Sequence, residues 1–271
     1  MSLTRGFRRT LLTVAVVVFA IATYIAVLFA QGYEFSFSER RFVLTGALTL
    51  DANEGANVII DGERVGSTSV LGDTFSRGRL LPGTYVVSLE REGYSTWTKS
   101  IIVQEGLVAD FPNILLLSLD ETRASRSREQ IEDALSRAMP TPIPSLVPSR
   151  TPSTSASPKI SPTPVPGFEL SDDALLRDGE QIAQDVRGWH MSLDGGKVLW
   201  WTRSEVWVMW LRGTNYQPFR LEGESEAVVR LTTTIDRAAW WPGSNHIALR
   251  SGTAYRVIEL DQRGGTNIIE L

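Results

Sequence analysis

The chain has 271 residues, with 27 Lys and Arg against 31 Asp and Glu, for a net charge of −4. That balance offers nucleic acid no basic surface beyond a few arginines at the N-terminus. Cysteine is absent and the only histidines are His190 and His246, which excludes a disulfide framework, a thiol nucleophile and any cysteine metal site.

The length suits one or two domains, but the composition is uneven. Nine of the thirteen prolines fall between Pro140 and Pro166, and seven of the eight tryptophans follow Trp97. Residues 1–9 form a short tail. From Thr10 to Ala30 no residue is charged. As a helix, about 20 residues at roughly 1.5 Å each span about 30 Å, the hydrocarbon thickness of a bilayer. Arg5, Arg8 and Arg9 precede the run, whereas Glu34 and Glu39 come before Arg40 and Arg41 on its far side. Positive charge stays cytoplasmic, so the tail is expected inside and everything after Gln31 outside. A cleaved signal peptide is the rival reading. Its apolar region is usually about 7–15 residues and ends in small residues, whereas this run is longer and Leu28-Phe29-Ala30 is a poor cleavage site. The expectation is a single transmembrane helix over 10–30, with the lipid bilayer as its partner.

After a juxtamembrane stretch (31–45), residues 46–118 turn into short apolar runs broken by Gly, Pro and Asp. The runs 42–50, 57–61, 84–90, 100–104 and 114–119 read as strands by their β-branched content and length. Asp61-Gly62 suits a tight hairpin because glycine reaches positive φ without steric cost. Pro82-Gly83 fits the central positions of a type II turn, and Gly93-Tyr94 marks another reversal. These pieces occur in a fixed order: Asn53-Glu54-Gly55-Ala56, Val58 and Ile60, Asp61-Gly62, Gly66, Leu81-Pro82-Gly83-Thr84-Tyr85, then Gly93-Tyr94 and Trp97. The series resembles the PEGA domain, a small β-sandwich of bacterial and archaeal surface proteins, although asparagine replaces the proline of its name motif. The resemblance implies an extracytoplasmic module without catalytic residues. Glu54 has no second carboxylate or histidine beside it, as acid–base work requires. Tyr85, Tyr94 and Trp97 read as core, with a sugar-binding face as the alternative.

Residues 119–139 are polar, with Ile131, Ala134, Leu135 and Ala138 at helical spacing, and Arg123, Arg126 and Arg128 on a solvated face. Residues 140–167 cannot hold a core and read as a disordered Pro/Ser/Thr-rich spacer. In polyproline II form, about 28 residues would reach on the order of 85 Å; the composition also suits O-glycosylation.

In 168–271 a repeat emerges. Shifted by 49 positions, residues 194–211 lie over 243–260 without a gap, so Val198 meets Ile247, Val208 meets Val257 and Leu211 meets Leu260. Such a period points to propeller blades. Ser192-Leu193-Asp194-Gly195 and Trp241-Pro242-Gly243-Ser244 resemble turns of TolB-like and WD40-like propellers. Closed propellers use 4–8 blades and this segment supplies two, so a partial propeller is expected, the ending inside an apparent strand favouring truncation. Its tryptophans read mainly as packing. His190 and His246 have no further ligands in view for a metal.

The fold class is therefore mainly β: one N-terminal transmembrane helix, a small PEGA-like sandwich, a Pro-rich linker and two blade-like repeats. No phosphate loop, H-E-x-x-H, G-x-S-x-G or S-x-x-K motif occurs. No catalytic, cofactor or metal residue is assigned; the binding candidates are the aromatics Tyr94, Trp97, Trp207 and Trp210. The function expected is non-enzymatic: a single-pass protein of the cell envelope presenting β domains to a protein or glycan partner. The alternatives are a fragment of a membrane-anchored propeller-containing hydrolase and a single-span envelope sensor.

Overall fold

The computed structural model describes residues 5–37, 39–53, 55–68, 74–137 and 167–271. Residue 54 and the spacer at 140–166 lie outside these, so the expectations for Glu54 and for the linker fall beyond the described residues. The chain forms two compact units: Met1–Leu116 with Arg263–Gly265, and Leu117–Gln262 with Thr266–Leu271.

The first unit opens with helix α1 (Arg5–Ala30). Its apolar stretch, Gly6–Ala30, has a mean hydropathy of 2.7 and no part of it is buried. A hairpin of β1 (Tyr33–Ser36) and β2 (Arg41–Leu44) follows directly. The sandwich comprises β3 (Gly46–Ala52), β4 (Asn57–Ile60), β5 (Glu63–Ser67), β6 (Thr74–Leu80), β7 (Gly83–Glu90), β8 (Trp97–Val103) and β9 (Val108–Ile114). One sheet has the order β6-β3-β9 and the other β5-β4-β7-β8. Strict alternation along β3 and β8 turns every second residue inward. Leu48, Leu50, Val58, Val87, Leu89, Trp97 and Phe111 thus meet in a single core.

Three local expectations are corrected. The run 42–50 breaks at Thr45 into β2 and β3. The strand expected at 114–119 lies earlier, at 108–114, where Pro112 is tolerated because β9 is an edge strand paired only with β3. Pro82-Gly83 is not the centre of a type II turn: Gly83 enters β7 without the positive φ such a turn needs, and the chain crosses there from the sheet of β6 to that of β7. Asp61-Gly62 does behave as read, with φ of 49° and 83° between the paired strands β4 and β5.

The second unit begins with α2 (Glu121–Arg137). Three antiparallel sheets follow: β10 (Phe168–Ser171), β11 (Ala174–Arg177) and β12 (Glu180–Ala183); β13 (Gly188–Met191), β14 (Lys197–Trp201), β15 (Glu205–Trp210) and β16 (Ser225–Arg230); β17 (Arg237–Trp240), β18 (His246–Ser251), β19 (Ala254–Glu259) and β20 (Ile268–Glu270). The 49-residue shift superposes the first three strands of the last two sheets pair for pair. Ser192 N binds Lys197 O as Trp241 N binds His246 O, and Leu211 N binds Gly196 O as Leu260 N binds Asn245 O. The same logic brings in a third repeat that the sequence hides. Val186 N binds Asp173 O in the β10–β11 turn, as Ile235 N binds Arg203 O in the β14–β15 turn. The three-stranded sheet is therefore a unit without a counterpart of β13.

The sheets stack face to face. Leu175 and Val186 pack with Val198, Trp200 and Met209 on one face of the middle sheet. On its other face Leu199, Trp201, Val206 and Val208 pack against Trp240, Ile247, Leu249 and Ile258. The far face of the last sheet receives α2, whose Ile131 and Leu135 are fully buried. There Glu132 accepts bonds from Arg250, at 3.1 Å, and from the Tyr255 hydroxyl. Three blade-like sheets are fewer than the smallest closed propeller uses; the architecture is a stack capped by a helix.

Candidate functional site

The four aromatics read as binding candidates do not come together. Trp97 is sealed in the sandwich core, edge-on to Phe111 at 5.6 Å, so its indole packs and cannot meet a ligand. Tyr94 packs against the same core under the guanidinium of Arg91, 4.4 Å from its ring centre. In the second unit Trp207 stacks on Trp200 at 6.1 Å and donates its Nε1–H to Glu205 at 2.9 Å. Trp210 alone borders an open cleft, one of about 390 Å³.

Two pieces of chain build that cleft: the β13–β14 turn and the loop from β15 to β16. In the turn, the Ser192 hydroxyl donates to Asp194 Oδ1 at 2.5 Å, Gly196 N donates to the same oxygen at 3.1 Å, and Lys197 N donates to Ser192 Oγ at 2.8 Å. A short side chain that accepts from its own turn is what Asp and Ser contribute at such positions. A Cβ at Gly196 would stand 3.1 Å from the Asp194 carboxylate, close enough that the carboxylate would have to give by a few tenths of an ångström. The loop is stapled internally: Thr214 Oγ1 takes the Arg220 amide at 2.8 Å and donates to Pro218 O at 3.0 Å, while Arg220 binds Glu224 at 2.6 Å and also Glu226. The Arg220 guanidinium lies 4.6 Å from the ring centre of Trp210. The Gln217–Pro218 peptide is cis.

The cleft is electrostatically mixed. Lys197 is buried and donates to Ser244 O at 2.6 Å and Asn245 Oδ1 at 3.3 Å. Burial lowers its pKa and the nearby Asp194 opposes that shift. Burial pulls the Asp194 carboxyl upward, but the Ser192 and Gly196 bonds with Lys197 and Arg212 together hold it below its usual value. Arg212 donates to Asp194 O at 2.5 Å and lines the cleft together with Tyr216. Burial first, and Asp194 second, raise the Tyr216 hydroxyl. A carboxylate held ionised lacks the near-neutral pKa that a general acid or base needs. What the cleft offers is donors, an acceptor and aromatic walls, the ingredients of a site that holds a polar ligand. Beside it, Leu193, Phe219 and Leu221 stand out into solvent, the last two 70% and 77% exposed.

Of this site sequence reasoning named only Trp210, because residues 211–224 show neither strand nor helix period. The one available signal was that two repeats of equal spacing have unequal connections. His190 lies elsewhere, stacked on Trp201 at 5.4 Å. Among the described residues no three of His, Asp and Glu gather as a metal site would require.

Comparison with known proteins covers the first unit. Residues 45–111 match the family model of the PEGA domain, the segment that forms β3 to β9 up to Phe111. No curated protein matches the chain.

Proposed function

We propose that this is a single-pass, non-enzymatic protein of the cell envelope, with its N-terminus in the cytoplasm and both β units outside. In this reading it presents the second unit to a protein or glycan partner. The observation that carries it is an unburied apolar helix of 25 residues followed, after one short hairpin, by a PEGA-matching β domain. Such a helix gains nothing from water and satisfies its own backbone in lipid. Arg5, Arg8 and Arg9 at its start support that orientation. The cleft between Asp194 and Tyr216 is the contact site, because it joins fixed polar groups to exposed apolar neighbours.

Alkaline phosphatase fused after Gly167 tests the topology, and an active fusion is expected. An inactive fusion, with a cytoplasmic reporter fluorescing at the same point, would reverse the orientation. Binding of purified envelope glycans and peptides to the full-length protein tests the site. Arg212→Ala with Tyr216→Ala should abolish the retained ligand; unchanged retention would move the site away from the cleft.

A further inference from the structure

The hairpin β1–β2 is amphipathic in a sense opposite to that expected in water. Its cross-strand pairs Tyr33↔Leu44 and Phe35↔Phe42 put four apolar side chains on one face. Phe37, just past β1, joins them: its ring meets Phe35 at 5.2 Å, and Phe35 meets Phe42 at 5.3 Å. The other face carries Glu34, Ser36, Arg41 and Val43. Yet Ser36 and Val43 on that face are the buried residues, while on the aromatic face Tyr33, Phe42 and Leu44 are half-buried, Phe35 is 37% exposed and Phe37 86%. Water alone would turn the aromatic face inward.

The helix fixes the depth of this cluster. Phe29, in the last turn of α1, meets Phe42 edge-on at 6.2 Å. Arg79 lies 5.7 Å from the centre of the Phe29 ring and binds Glu34 at 3.0 Å. The base of the hairpin is also tied down. Gly32 O accepts the Thr45 amide at 3.0 Å and its hydroxyl at 2.7 Å, and Leu44 N donates to Glu105 at 3.1 Å. The exposed rings therefore sit level with the end of a bilayer-length helix, where hydrocarbon gives way to headgroups. Aromatic side chains collect at that depth, and the exposed Arg40 in the turn between the strands suits phosphate oxygens, whereas Arg41 on the opposite face is paired with Glu39 at 2.5 Å.

We propose that the aromatic face of the β1–β2 hairpin lies in the interfacial layer of the bilayer, a second membrane contact that seats the sandwich on the lipid surface. The proposal rests on the reading of α1 as an uncleaved anchor. Continuity with the helix selects lipid as the occupant: only a few residues separate Phe35 from Ala30.

The chain has no native cysteine, so single-cysteine variants can be labelled cleanly. Full-length protein carrying a nitroxide at Phe37→Cys, at Ile102→Cys or at Val17→Cys is reconstituted in phosphatidylcholine–phosphatidylglycerol vesicles. Collisions with oxygen, which enters lipid, are compared with collisions with a nickel chelate, which stays in water. Ile102 is a solvent-exposed position of the sandwich. The label at 37 should meet the chelate about tenfold less often than the label at 102 while oxygen reaches it freely, the factor expected from transferring one large apolar group out of water. Equal chelate access at 37 and 102, with 17 protected, overturns the hairpin contact alone. Protection at 37 from both reagents reports burial in a second copy or another protein and also overturns it. Chelate access at 17 removes the anchor, and the proposal with it.

Discussion

The last two sheets share one backbone plan and differ in what hangs from it. Counted 49 residues apart, His190 corresponds to Ala239, Asp194 to Gly243, Lys197 to His246 and Arg212 to Asp261. The connection after β15 runs through 211–224, whereas 260–267 suffice after β19. Hydrogen bonding is duplicated almost bond for bond, yet only the first copy holds the fixed carboxylate, the anchored arginine and the long loop that make a cleft. Backbone identity reports the fold. The departures mark the proposed contact site, in keeping with sites that live in loops and side chains carried by a shared scaffold.

The largest expected effect separates His190 from Ala239. Burial holds the His190 imidazole down to about 4 in the folded chain, against 6.5 when exposed. Between those values the unfolded chain binds a proton that the folded one refuses. Stability from this group is therefore intact above about pH 6.5, falls as pH drops towards 4 and levels off below, by about 3 kcal/mol in all. Urea midpoints at pH 7 and pH 4.5 measure it, and His190→Phe should remove that part of the slope. An unaltered slope in the variant would assign the acid sensitivity elsewhere.

Gly188→Ala is expected to come next, at about 2 kcal/mol, the usual size of overpacking a filled core. A Cβ at 188 would stand 2.3 Å from the buried Trp201 ring. The corresponding position in the last sheet is Arg237, so Arg237→Ala is the matched control, and it should leave the denaturation midpoint nearly unmoved. Lys197→Met tests the bond between repeats. It deprives Ser244 O and Asn245 of their donor, which should cost about 1 kcal/mol; a gain in stability would mean that desolvation of the ammonium outweighs its bonds. The smallest change is Glu132→Gln, which weakens a half-exposed tie from α2 to Arg250 and should move stability by about 0.5 kcal/mol. A loss several times larger would make that contact, rather than Ile131 and Leu135, the main attachment of the helix.

Much of this was legible in the sequence wherever one physical cause dominated. Uninterrupted apolar length marked α1, two positive-φ residues marked the Asp61-Gly62 hairpin, and equal spacing aligned β14 with β18 and β15 with β19. Legibility failed where tertiary context decided. Pro82-Gly83 has turn chemistry, but whether a turn pairs its flanking strands depends on which sheet each joins. The strands β10 and β12, FELS and EQIA, are too short and polar to carry a period. The cleft was illegible for a related reason: its floor is a turn that the repeat predicts, but its wall is an aperiodic loop held by Thr214 and Arg220. The aromatic hairpin needed the structure as well, because the sequence gives alternation but not which face turns inward.

Everything outside the helix depends on α1 remaining in the chain and in the lipid. The direct measurement is the mass and N-terminal sequence of the mature protein recovered from membranes washed with alkaline carbonate. A pelleted species that still contains Arg8 to Ala30 is expected. A freely soluble species beginning near Gln31 would contradict it.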